Sequence, residues 1–147
     1  MDREVRVTVT GVHKHPGLEP QETKSESKGL MREENGKYII EYEEYLSEEA
    51  PEDFQGGVAT YNKITITQDQ MSIVRKGSVE SELSFKNGLE HVSDYKTPFG
   101  AMKTRVHTTR YNMYSLAKGN RLIAEAEYRV SMNGMSLSEA LMRVDIT

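Results

Sequence analysis

The chain contains neither cysteine nor tryptophan. Without thiols, no disulfide framework and no thiolate metal site can form. No apolar run approaches the ~20 residues needed to span a membrane as a helix. The opening residues Met1-Asp2-Arg3-Glu4 carry no apolar signal-peptide region. The expectation is therefore a soluble, cytoplasmic protein that does not enter a membrane. Helical periodicity is also missing, because apolar residues at i, i+3 and i+4 do not persist over any window of about ten residues. The nucleophile elbow G-x-S-x-G and the phosphate loops G-x-x-x-x-G-K and G-x-G-x-x-G are absent. No catalytic residue and no cofactor is assigned on this reading. A strong basic balance is lacking too. The net charge of −4 argues against a general nucleic-acid binder, which needs a basic footprint.

What the chain does have is alternation. Val5, Val7 and Val9 interleave with Arg6, Thr8 and Thr10, a period of two in a β-branched run. A polar strand follows Pro20 and runs to about Met31. Asn35-Gly36, Asn87-Gly88 and Asn133-Gly134 are strong hairpin signals. Further strands are expected over 38–46, 59–67, 71–76, 79–85, 89–95, 101–116, 121–132 and 135–146. Residues 47–57, with Pro51 and Gly56-Gly57, read as a loop. Pro98-Phe99-Gly100 reads as a turn. At 147 residues the chain fits one domain, 1–147, by the prior of ~100–200 residues per domain. About eight to ten strands joined by tight turns predict an all-β antiparallel meander closed into a barrel, which removes exposed sheet edges. A barrel of ~8 or more strands has room for a small ligand.

Side-chain parity nominates the interior. Tyr38, Ile40, Tyr42, Glu44 and Leu46 share one face, which makes Glu44 the odd member of an apolar row. Met71, Ile73 and Arg75 form a second such row. Ser81, Leu83 and Phe85 form a third, and Met102, Thr104, Val106 and Thr108 a fourth. The fifth runs through Leu122, Ala124, Ala126, Tyr128 and Val130 to Met132. Inward Glu44 and Arg75 need partners, because an unpaired buried charge is costly. They can pair with each other or reach water at strand ends. Alternatively, Arg75 with Tyr42 or Tyr128 binds an anionic head group, a task suited to guanidinium. Bulges would shift these registers. His91 reads as a satisfied, partly buried histidine. His13 and His15 stand two apart, but two ligands do not make a metal site, and none is assigned. From Tyr95 to Arg121 there is no acid, while Lys96, Lys103, Arg105, Arg110, Lys118 and Arg121 accumulate. Complementation by acidic neighbouring strands is one reading, and a patch for an anionic partner is the other.

Several short motifs occur together: Tyr42-Glu43-Glu44, Arg75-Lys76-Gly77, Phe85 before Asn87-Gly88, and Tyr95-Lys96-Thr97-Pro98-Phe99-Gly100. In order and spacing the chain resembles the YwiB-like family of uncharacterised bacterial proteins over nearly its whole length. The resemblance implies a lipocalin-like (calycin-like) β-barrel, no established activity and no catalytic residue to carry over. The Gly-x-Trp of lipocalins proper has no counterpart here, since tryptophan is absent.

The functional expectation is a binding protein for a small, partly apolar, anionic molecule inside the barrel. Arg75 is the charge anchor and Glu44 its orienting partner. Tyr42, Tyr128 and Thr108 are the polar lining, and Tyr95 and Phe99 stand at the rim. The alternative is an interaction module, monomeric or homodimeric, with a filled barrel and an exposed patch of Tyr45, Tyr61, Tyr111 and Tyr114. An enzyme would need Arg75, Glu44 and His91 within hydrogen-bond reach of one another.

Overall fold

The computed structural model describes residues 2–44, 60–77, 80–97, 100–116 and 120–147. Every regular element among them is a strand: β1 Arg3–Lys14, β2 Gln21–Glu34, β3 Lys37–Glu44, β4 Thr60–Ile66, β5 Gln70–Lys76, β6 Ser81–Lys86, β7 Glu90–Thr97, β8 Gly100–Leu116, β9 Arg121–Met132 and β10 Met135–Ile146. All ladders are antiparallel, in the spatial order β6-β5-β4-β3-β2-β1-β10-β9-β8-β7. Each strand is therefore a neighbour of its successor in the chain. The exceptions are β6 and β7, which stand at the two ends of the sheet. The expected loop at 47–57 and the start of the expected strand at 59–67 lie outside the described residues, as do Leu46, Pro98, Phe99 and Lys118.

The tight turns sit where Asn-Gly pairs place them. Asn35 and Asn133 take positive φ, 49° and 50°, and Gly36 and Gly134 follow at 81° and 72°. Two consecutive left-handed residues give the type I′ geometry that matches strand twist. The pair Asn87-Gly88 turns the chain as well, with the Leu89 amide donating to the Lys86 carbonyl at 2.9 Å. No continuous ladder forms behind that turn, however. Among the described residues, β6 and β7 close the barrel through a single bridge, in which Glu80 and Lys96 exchange two hydrogen bonds of 2.8 Å. The barrel is thus nearly closed, with a seam between β6 and β7.

Alternation fills the interior. Ile40, Ile64, Ile66, Met71, Phe85, Ala124, Ala126, Val144 and Ile146 are fully buried. Phe85 and Tyr128 meet with ring centroids 4.9 Å apart, and this tilted contact spans the interior between β6 and β9. Parity fails once. A bulge between Thr108 and Arg110 advances β8 by one residue, so Tyr111 turns inward. The exposure expected for Tyr111 is therefore corrected: it is 3 % exposed, and its hydroxyl donates to the Thr67 carbonyl at 2.8 Å. The acid-free run of β8 has acids beside it, as the complementation reading expects. Arg105 pairs with Glu90 at 3.1 Å, and Lys103 and Arg110 stand in register with Asp94 and Glu127. Arg121 likewise pairs with Asp145 at 2.7 Å, so cross-strand complementation reaches several of these bases.

Candidate functional site

One barrel end gathers the ends of β1, β3, β5, β7 and β9 and the starts of the strands that follow them. These strand ends carry the polar members of the inward rows. Tyr42, Asn62, Arg75 and Ser81 occupy successive registered positions across β3, β4, β5 and β6. Such neighbours are close enough for side-chain contact. The Arg75 guanidinium donates from Nε to Asn62 Oδ1 at 3.0 Å. Its Nη2 lies 3.3 Å from Glu44 Oε2 and 3.5 Å from Oε1. Asn62 is fully buried and is itself fixed by donating from Nδ2 to the Thr60 carbonyl at 3.2 Å. The ion pair is half-buried, with side-chain exposures of 35 % for Arg75 and 26 % for Glu44. This geometry makes Glu44 a structural counter-ion and leaves Nη1 of Arg75 without a partner among the described residues.

Two hollows share this arginine in their walls. The larger, about 430 Å³, is lined by Arg75, Tyr95, Tyr128, His13, His15 and Thr104, with apolar walls from Leu83, Val106 and Val130. The smaller, about 290 Å³, is lined by Tyr42 and Glu44 of β3, Thr23, Lys24 and Ser25 of β2 and Arg75 of β5, with Val9, Ile73, Leu83 and Met142 among its apolar walls. Both volumes are close to or within the ~300–1,000 Å³ typical of small-molecule sites. Burial pushes the Tyr128 hydroxyl up to about 12, so it stays protonated and can donate. Burial, with Glu44 beside it, likewise raises Tyr42. Thr104 Oγ1 is buried with no hydrogen-bond partner among protein groups, and Thr104 stands in the wall of the larger hollow. Such an orphan is costly unless something else satisfies it.

The expected site residues divide accordingly. Arg75, Tyr95 and Tyr128 meet in the larger hollow, and Arg75, Glu44 and Tyr42 in the smaller. Thr108 lines neither; it is fully buried, in register with Tyr128, and its Oγ1 has no partner. Phe99 lies outside the described residues. His91 is half-buried as expected but not satisfied, since its Nε2 is enclosed without a partner. It lines neither hollow, so it does not join Arg75 and Glu44 in a catalytic arrangement. Sequence reasoning missed Asn62, although its place in the row Thr60, Asn62, Ile64, Ile66 was a legible signal: a polar side chain among inward apolar ones. It also set aside His13 and His15, which line the larger hollow. Among the described residues no group of three or more acidic or imidazole side chains is placed to hold a metal ion, and no helix is long and apolar enough to cross a membrane.

Comparison with known proteins agrees with the architecture. A family model described as a domain of unknown function, DUF1934, matches residues 7–144. The crystal structure of ywiB protein from Bacillus subtilis superposes with a TM-score of 0.77, covering 99% of this chain and 91% of that one at 13% sequence identity. At that identity the likeness speaks for the fold alone. No curated protein matches the sequence.

Proposed function

The chain belongs to the DUF1934 family, whose description names no activity, and from that premise we propose that it is a cytoplasmic binding protein for a small, partly apolar anion. The observation that carries this reading is the 430 Å³ hollow. Its walls are apolar on β6, β8 and β9, and its polar groups converge on one end. Arg75, His13 and His15 supply donors there, and Glu44, the counter-acid of Arg75, stands at the adjoining hollow. A carboxylate would find Arg75 Nη1 and the Tyr128 hydroxyl as donors, while a short hydrocarbon or ring would cover Leu83, Val106 and Val130. A likeness to lipocalin-like carriers is what the family resemblance implies, but fold alone does not assign a function.

Native mass spectrometry of the protein purified from its own host tests the reading. A retained small molecule on the wild type is expected, lost from Arg75→Ala at unchanged circular dichroism. A wild type that carries nothing, and binds no medium-chain carboxylate on titration, overturns it. Of the tyrosine patch expected for the competing interaction module, Tyr111 is buried, Tyr61 half-buried and Tyr114 exposed, while Tyr45 lies outside the described residues. An interaction surface is better sought on a strand edge.

A further inference from the structure

Among the described residues, β2 is paired along more of its length on one side than on the other. It pairs with β1 from Gln21 to Met31, but with β3 only from Gly29 to Glu34. Residues 21–28 thus form a strand edge whose outward backbone groups have no partner among the described residues. An open notch of about 680 Å³ lies against that edge, walled by Ser25, Glu26, Ser27 and Lys28 on one side and by Glu43 and Glu44 on the other. Unpaired strand edges are templates for pairing with another chain.

The usual protection of such an edge is a run of lysines. A second copy then meets like charge with like. Here the exposed face reads Glu22, Lys24, Glu26, Lys28, with Thr23, Ser25 and Ser27 on the other face. We propose that this edge pairs antiparallel with the same edge of a second copy, about a two-fold axis through Ser25. In that register Lys24 faces the partner's Glu26 and Glu22 faces the partner's Lys28, and each pair recurs by symmetry. Directly opposed side chains stand ~4.5–5.5 Å apart at Cβ, within ion-pair reach. Four complementary pairs form and no like-charged pair does. Moving the axis one residue to Lys24 or Glu26 sets like charges face to face, and moving it two residues to Thr23 or Ser27 loses complementary pairs within residues 21–28, so the charge pattern favours the register through Ser25. In the single chain Lys24 and Glu26 pair with each other at 3.3 Å, both more than half exposed. Such a surface pair is worth little and is readily exchanged for the cross-subunit one. The contact is isologous, so it closes at a dimer.

Charge-swapped variants test this by light scattering with size-exclusion chromatography. The wild type is expected at twice the chain mass. Lys24→Glu with Lys28→Glu makes the face all acidic, and Glu22→Lys with Glu26→Lys makes it all basic; each is expected to be monomeric. An equimolar mixture of the two is expected to recover the dimer. A wild type that stays monomeric up to its solubility limit overturns the proposal. So does a dimer that survives in both variants, an assembly larger than a dimer, or a mixture that remains monomeric. Should either double variant lose its β-sheet circular dichroism, Ser25→Cys replaces it. With no other cysteine in the chain, a thiol on the axis is expected to give a cross-linked dimer with a short bifunctional reagent, while Thr23→Cys is not. Equal cross-linking of both, or of neither, overturns the register.

Discussion

Single side chains carry two different kinds of charge pair in this barrel. Arg75 and Glu44 are half-buried, and the guanidinium also serves Asn62. Arg75→Ala is therefore expected to cost about 1–2 kcal/mol in urea unfolding, between the values for exposed and for buried pairs. Glu44→Gln, which keeps an acceptor, should cost less. A loss for Arg75→Ala beyond the range of a buried pair would mark the residue as structural and weaken its role as a ligand anchor. The second pair is sensitive to pH. Asp145 accepts hydrogen bonds from Arg121 at 3.1 and 2.7 Å, and these hold its carboxyl below the ordinary value of 3.8. A carboxyl depressed in the folded state contributes stability above its unfolded pKa and loses it as the pH falls through the folded one. Asp145→Asn should thus lower the urea midpoint at neutral pH, and the gap from wild type should close only on acidification below about pH 4. A gap independent of pH would refute the ionic account.

Strands were the most legible level of the sequence, because period two, β-branched runs and Asn-Gly turns all act locally. The inward rows through Tyr42, Arg75, Phe85 and Tyr128 follow from that parity alone. Parity cannot survive an inserted residue, and nothing in Thr108-Thr109-Arg110 announces the bulge that turns Tyr111 inward. Nor can a local pattern show which strands run past their partners. The Arg75–Glu44 pairing was foreseen as one of two alternatives, but the hollow beside it depends on the splay of β2 from β3, which is a property of the sheet. Gly29 marks the place where that splay begins. A Cβ on Gly29 would lie 2.8 Å from the Glu41 carbonyl oxygen and 3.1 Å from Tyr42 Cβ. Backbone is the obstacle, so relaxation requires β3 to move. Gly29→Ala should destabilise by roughly 1–3 kcal/mol, as overpacking does, measured by chemical denaturation. It should also weaken occupancy of the hollow that Tyr42 and Glu44 line. An unchanged midpoint would show that the two strands separate freely there.

At the level of the whole molecule, β1 is an interior strand of the sheet. β1 lies between β2 and β10, and the strands fan out from it in two directions until β6 and β7 meet at the seam. The ladder from Val7–Ile146 to Lys14–Glu139 joins the two arms continuously, and Arg6 and Thr147 extend it with hydrogen bonds of 2.9 and 3.0 Å. The seam, by contrast, is held by the Glu80–Lys96 bridge and the turn at residues 87–88. Local opening should follow that contrast, since amide protection tracks hydrogen bonding and packing. Hydrogen exchange is expected to be slowest in β1, β9 and β10. It should be fastest, among strand amides, at every second position of β6 and β7, where no neighbouring strand accepts. Residues 21–28 supply the internal comparison. As a free edge they should exchange as fast as the seam at low protein concentration. If two copies pair there, their alternate amides gain protection as concentration rises, while the seam does not change. Uniform protection across both edges at all concentrations would contradict the seam and the edge together. Protection rising at β6 and β7 instead would move the interface to the seam.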